Sequence, residues 1–257
     1  MFKYLLIAFC SLFIISCSTD TFEEDLIESN ENLFPTGYFS NRYFVDDLYS
    51  IYYSDSIQII YDEQDRPIEK KVKSYYLLSD QKVNYINDSE YEITENGQLI
   101  ESGTYQLKSF FKHKIIQKLT SEKNGIVTKY DYQPIDGDTV LTSVQEFKDN
   151  RLVANETYTW DRNNKYPHVT KLDSIVRTDI IDDDNLIKTV TKFDYDDYQN
   201  PFIRLGIFDD INYRHLSFNN YTKKIIKVFD EDDNELSSIE YDSNFKYNKN
   251  GKVDLTK

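Results

Sequence analysis

The sequence predicts an all-β protein: a many-stranded antiparallel up-and-down meander of repeated hairpins, forming a soluble barrel or a strongly curled sheet. Three observations predict it. Strand formers dominate, with 22 Tyr, 16 Phe and one Trp, while Ala, the strongest helix former, is scarce. Aromatic residues recur two apart, as in Tyr130/Tyr132, Tyr158/Trp160, Phe193/Tyr195 and Phe245/Tyr247, which places each pair on one face of a strand. No sustained 3.6-residue apolar period competes with that alternation.

The chain begins differently. Met1-Phe2-Lys3 precedes an apolar run from Tyr4 to Ile15, then Ser16-Cys17-Ser18. A short basic region, an apolar core and a small residue before a cleavage point mark a secretory signal over residues 1–16. Twelve helical residues would reach ~18 Å against a ~30 Å hydrocarbon core, so the run targets the chain and does not span a membrane. Ile14-Ile15-Ser16-Cys17 resembles the lipobox of bacterial lipoproteins, which implies acylation of Cys17. Cys10 leaves with the signal, so Cys17 becomes the lone cysteine; acylation consumes a thiol that would otherwise stay reactive. Two or more acyl chains suffice for stable anchoring. Residues 17–36 then read as a flexible acidic tether. Their cluster Asp20-Thr21-Phe22-Glu23-Glu24-Asp25 resembles surface-export signals of Bacteroidetes lipoproteins, which implies an outer-membrane address facing outward rather than the periplasm.

Residues 37–257 form the single β-meander domain. One turn unit recurs through it: an aromatic strand end, a polar run of Asp, Asn, Glu and Lys, then Gly, Asn or Pro before an aliphatic residue. It stands at 61–68, 91–99, 122–126, 147–152, 160–164, 182–186, 193–201, 229–236 and 245–253. Asp or Asn opens a type I turn by bonding its own backbone, and a residue with positive φ follows, giving a hairpin with a one-residue bulge. Nine such turns imply roughly 16–18 strands. The units resemble YD/RHS-type repeats. The stretch from Phe193 to Lys223, with FDYDDYQNPF and RHLSFNNYTK, is similar to the Bacteroidetes lipoprotein family DUF4595. That resemblance runs from Gly37 onward and is strongest after Phe193. It implies a porin-like meander at the envelope and no particular activity; toxin encapsulation is not carried over, because RHS shells need far longer chains.

Composition narrows the function. A net charge of −15, or −16 once Lys3 leaves with the signal, argues against nucleic acid and anionic headgroups as partners. A membrane-spanning barrel is not expected, since Glu69-Lys70-Lys71-Val72-Lys73 puts charge on both faces of its strand. His113, His168 and His215 lack ligand spacing. The run from Asp230 begins like a calcium loop, but Glu235 stands where Gly is needed and Tyr241 where a bidentate Glu is needed. No nucleophile elbow, P-loop or dinucleotide fingerprint is present. No catalytic residue, cofactor or metal site is therefore expected. Asp55-Ser56-Ile57, Asp138-Thr139-Val140 and Asp173-Ser174-Ile175 resemble the O-glycosylation motif of exported Bacteroidetes proteins.

The least repeat-like stretch, 201–220, is the candidate functional loop, with Phe202, Arg204, Phe208, Arg214 and His215 as its candidate residues. Its apolar residues exceed what a hairpin tip needs; the alternative is a plug or cap over one end of the sheet. The expected function is non-enzymatic binding or scaffolding by a lipid-anchored envelope protein with a protein or glycan partner. One alternative is a carrier holding a small apolar ligand in an aromatic barrel; another is a glycan-binding surface protein.

Overall fold

A computed structural model describes residues 37–46, 49–73, 78–110, 113–135, 137–162, 170–182, 185–208 and 213–242. The expected signal over 1–16, the lipidated Cys17 and the tether to residue 36 lie outside the described residues. So do His168, the expected turn at 245–253 and the tips of those at 160–164 and 182–186.

Fourteen strands follow one another. They are β1 (Gly37–Asp46), β2 (Tyr49–Tyr61), β3 (Pro67–Lys73), β4 (Leu78–Tyr85), β5 (Glu90–Glu95), β6 (Gln98–Phe110) and β7 (His113–Lys123). The second half holds β8 (Ile126–Ile135), β9 (Asp138–Lys148), β10 (Arg151–Arg162), β11 (Thr170–Asp182), β12 (Asn185–Gln199), β13 (Asn219–Phe229) and β14 (Glu235–Asp242). Each pairs only with its sequence neighbours, always antiparallel, in one fourteen-stranded sheet. The sheet is an up-and-down meander, as expected, and is open rather than closed into a barrel: among the described residues β1 and β14 form its two edges.

The turn chemistry takes two forms. At 62–66 and 230–234, Asp62 and Asp230 each use Oδ1 to accept two backbone N–H bonds, from Gln64 and Arg66 and from Asp232 and Asn234. Asp65 and Asp233 take the positive φ, and the flanking ladders slip by one residue; this is the expected type I turn with a bulge. At Asn96-Gly97, Asn124-Gly125 and Asp149-Asn150 both central residues have positive φ. These are tight two-residue turns of the primed kind, whose twist matches the strands they join.

The expected turn at 193–201 is not one. β12 runs through Phe193, Asp194 and Tyr195 to Gln199, and the sequence there produces register slips against β13 rather than a reversal. Pairing with β13 at Phe193, Asp194, Tyr195 and Gln199 holds the backbone extended, overriding the local turn preference of Asp and Asn. This, together with strands of up to fifteen residues, leaves fourteen described strands where turn counting implied roughly 16–18.

One face of the sheet is apolar. Ile57, Ile59, Val72, Val83, Tyr91, Ile93 and Tyr105 form a cluster with Ile116; Leu141, Val144, Tyr158, Leu172, Ile175, Phe193 and Tyr221 form a second. The segment between β12 and β13 joins both: Phe202, Leu205, Ile207 and Phe208 enter the first, while Tyr213 and Leu216 pack on the second. Twelve strands laid flat would span about 50 Å at ~4.8 Å per strand, so β2 to β13 reach one short segment only by curling. Nine of the thirteen ladders carry a register slip, and such bulges bend and twist strands. The other face carries charge: β8 alternates, with Lys129, Asp131 and Gln133 exposed and Thr128, Tyr130 and Tyr132 turned inward.

Candidate functional site

The segment 200–218 is tied down at its base. The Asn200 amide donates to the Phe218 carbonyl at 2.7 Å, its side-chain Nδ2 to the Ser217 carbonyl at 2.8 Å, and its Oδ1 accepts from Phe202 N. Ser217 Oγ accepts from the Leu172 amide at 3.0 Å and lies 3.0 Å from the Tyr195 hydroxyl. These bonds seat the loop inside the curl.

The structure separates the five candidate loop residues. Phe202 and Phe208 are buried in the first cluster, and the Lys70 ammonium lies 5.2 Å from the Phe208 ring centroid, a cation–π contact. Arg204 is 2% exposed; its Nη2 donates to the Asp65 carbonyl at 2.9 Å and the Lys114 carbonyl at 3.0 Å, pinning the loop to the β2–β3 turn and the start of β7. Burial pulls its pKa below the ordinary arginine value, opposed by Asp65 and Tyr61. Arg214 begins a single 3-10 turn, Arg214–Leu216, and its side chain lies outside the described residues. His215 is half-buried and lines a cleft.

That cleft lies on the inner face, about 440 Å³ in volume and open to solvent. β7 contributes Lys118 and Ser121, β8 Thr128, Tyr130 and Tyr132, β9 Leu141, Val144 and Glu146. β10 and β11 add Glu156, Tyr158 and Arg177, and the loop adds Gly206, Tyr213 and His215. Gly206 lies close under His215: a Cβ would sit 2.9 Å from His215 Cδ2, so any side chain there would displace the imidazole.

Charge in the cleft is organised in two groups. Arg177 donates through Nη1 to Glu146 at 2.8 Å and Glu156 at 2.9 Å, through Nη2 to Glu146 at 3.1 Å and through Nε to Asp179 at 2.8 Å. The Glu146 hydrogen bonds, outweighing burial and reinforced by Asp179 and Glu156, raise its pKa far above the ordinary value. Glu156 also accepts from the Tyr158 and Tyr213 hydroxyls. Burial, then the charge of Glu156, pushes both phenols well above their usual pKa, so they stay protonated donors. The second group lies deeper: Lys118 donates to Glu101 at 2.6 Å, their side chains 3% and 2% exposed, and Glu101 also accepts from the Tyr91 hydroxyl.

Tyr213 has φ +64°, a conformation costly for a bulky aromatic residue. Its ring is held edge-on to Tyr158 and Phe193, both centroids 6.4 Å away, and its hydroxyl by Glu156 at 3.2 Å.

The fold has known counterparts. The chain is similar to a porin-like protein from Bacteroides uniformis, 12% identical over 85% of this chain and 87% of that one, with a TM-score of 0.50. A porin-like protein from Bacteroides vulgatus is 14% identical over 77% and 85%, with a TM-score of 0.42. The likeness is one of fold. No protein-family model matches the chain, and no curated protein matches it. The meander expected from the turn units is thus observed and is shared in fold with a porin-like protein, while membership of the DUF4595 family stays a resemblance.

The aromatic pairs Tyr130/Tyr132 and Tyr158/Trp160 are legible in the sequence as one face of a strand. Arg177, Glu146, Glu156 and Lys118 are not, because nothing local distinguishes an inward charge from the many outward ones. The O-glycosylation triplets all fall in strands: Ser56 is exposed, whereas Thr139 and Ser174 are half-buried.

Proposed function

We propose that this chain is a non-enzymatic ligand-binding protein of the bacterial envelope, held at the outer membrane by lipid on Cys17 and facing outward. The observation that carries the binding reading is the preformed cleft: an open pocket of about 440 Å³, within the ~300–1,000 Å³ of small-molecule sites, walled by rigid strands. The anchor reading rests on Ile14-Ile15-Ser16-Cys17 and the apolar run before it, and the porin-like fold is in keeping with an envelope address. Burial pushes the Tyr158 and Tyr213 phenols further above working pH, which counts against either of them as a general acid or base. The apolar-carrier alternative loses ground because Phe202, Leu205, Ile207 and Phe208 occupy the space such a ligand would need.

The test is a non-permeant protease on intact cells, beside a Cys17→Ala control and labelled palmitate. The proposal expects palmitate on the native chain alone, cleavage in intact cells, and loss of Cys17→Ala from the membrane fraction. Equal membrane retention of Cys17→Ala would end the anchor reading. Protection until the outer membrane is opened would end the outward-facing one.

A further inference from the structure

We infer that the cleft takes a neutral polyhydroxylated ring, a saccharide residue or short neutral oligosaccharide. The inference rests on the binding reading above and deepens it. Three classes of ligand can be weighed against the walls.

An apolar guest fits poorly. Entry would take water from the half-buried hydroxyls of Tyr130 and Tyr213 and from the half-buried charges of Glu146 and Arg177, while Ser121, Lys118, Glu156 and Tyr158 are already buried. Each buried polar group that loses solvent and finds no new partner costs about 1–3 kcal/mol, which offsets the attraction of the aromatic rings for such a guest.

An anion fits poorly for a different reason. Arg177 is already held by three carboxylates, from Glu146, Glu156 and Asp179, and Lys118 by Glu101. With Lys123 at the rim, the wall holds three cations and two carboxylates, and Asp179 and Glu101, which pair with Arg177 and Lys118 from outside the lining, bring the local balance to −1. The chain as a whole carries −15, so the long-range field also opposes an anion.

A cation is little better placed, since those carboxylates are occupied: Glu146 receives two bonds from Arg177, while Glu156 receives Arg177 on one oxygen together with Tyr213, and Tyr158 on the other. A neutral hydroxyl suits such a wall. It can donate to a lone pair left on either carboxylate and accept from Tyr130 or Ser121, whose hydroxyls lie 3.3 Å apart with one proton to spare between them, without disturbing the charge balance. The apolar face of a sugar ring needs a flat, partly wet partner, which Tyr130 and Tyr132 supply. They stand two apart on β8, hence on one face and roughly 7 Å apart, and both line the cleft. The strained Tyr213 completes an aromatic wall from the loop side.

The experiment uses the mature protein purified in detergent, titrated by calorimetry and by fluorescence of its single tryptophan. Trp160 sits beside the cleft, its Nε1 donating to the Leu141 carbonyl at 2.7 Å, with Leu141 shared by the cleft wall. The probes are neutral hexose and N-acetylhexosamine oligomers, with a uronic acid oligomer, spermidine and a fatty acid as the competing classes. Saturable binding of at least one neutral oligomer is expected, weakened at least tenfold in Tyr130→Ala and retained in Tyr130→Phe. Should Tyr130→Ala fail to fold, Thr128→Trp serves instead: it fills the cleft from β8 and should abolish binding. Binding only of uronate, spermidine or fatty acid would overturn the ligand class and leave the binding reading standing. Failure of every neutral oligomer, or undiminished binding in a folded Thr128→Trp variant, would overturn the inference, whatever the cell-surface protease result.

Discussion

At the scale of single residues, two carboxylates carry unequal loads. Asp62 holds the β2–β3 turn through backbone bonds of 2.9 Å to Gln64 and Arg66 and through the Arg66 guanidinium at 2.8 Å. Burial opposes its charge, yet the Arg66 and Gln64 bonds win and hold its pKa below the usual carboxylate range. Asp62→Ala should therefore cost about 1.5–3 kcal/mol in urea unfolding at pH 7. A lowered folded-state pKa means stability present above the unfolded value of ~3.9 and lost as pH falls through the folded value. The gap between native protein and Asp62→Asn should accordingly shrink as pH falls below about 4; a gap constant down to pH 2 would show that the charge is not what stabilises the turn. Glu101 illustrates the buried case. Lys118→Met strands its carboxylate and should cost about 3–5 kcal/mol, while Glu101→Leu with Lys118→Met should recover most of that loss. The recovery stays incomplete because the Tyr91 hydroxyl loses its acceptor.

Among the elements, the ladders show how close the strands run. Gly103 in β6 pairs with Ser121 and Tyr91, and the β6–β7 register slips just beyond it, between Thr104 and Tyr105. A Cβ there would lie 2.0 Å from the Thr120 carbonyl oxygen, a clash with backbone that no rotamer relieves. Gly103→Ala should lower stability by about 1–3 kcal/mol or more, with faster amide exchange along β6 and β7; unchanged exchange would mean the strands can separate at no cost. The primed turns behave differently. At Gly125 a Cβ meets nothing within 4 Å, yet φ is +74°, so Gly125→Ala should cost about 1–2 kcal/mol through backbone strain alone. Gly125→Asn, better suited to that conformation, should cost less.

For the whole molecule, the β12–β13 loop is part of the core. Gln199 and Asn219 are paired across the ladder, so a two-residue Asn-Gly turn could join the strands with 200–218 removed. The shortened chain should nevertheless lose cooperative unfolding and bind a hydrophobic dye, because both clusters then face water on the inner side. Phe208→Ala is the milder form, expected to cost about 3–5 kcal/mol and to speed proteolysis within the loop. A shortened chain that unfolds as sharply as the native protein would show that the sheet curls unaided.

Strand content, alternation and most of the turns could be read from the residues alone, since side-chain alternation and Asn-Gly or Asp-led turn chemistry act within a few residues. Asn96-Gly97, Asn124-Gly125 and Asp230 sit at hairpin tips for reasons that are local. The stretch from Phe193 to Gln199 shows where that reasoning ends: its Asp and Asn residues favour a turn, but pairing with β13 keeps it extended. The loop marks a second boundary. Phe202 and Phe208 stand out in the sequence as apolar excess, and apolar excess is equally compatible with a ligand contact and with a core contact. Only the curl of the sheet assigns them to the core and leaves Tyr213 and His215 at a cleft. The cleft draws on residues from Ile116 to Leu216, brought together by a succession of small register slips whose sum bends the sheet. Such a sum is a property of the whole ladder, which is why the inward charges of Lys118, Glu156 and Arg177 acquire their meaning only in the tertiary structure.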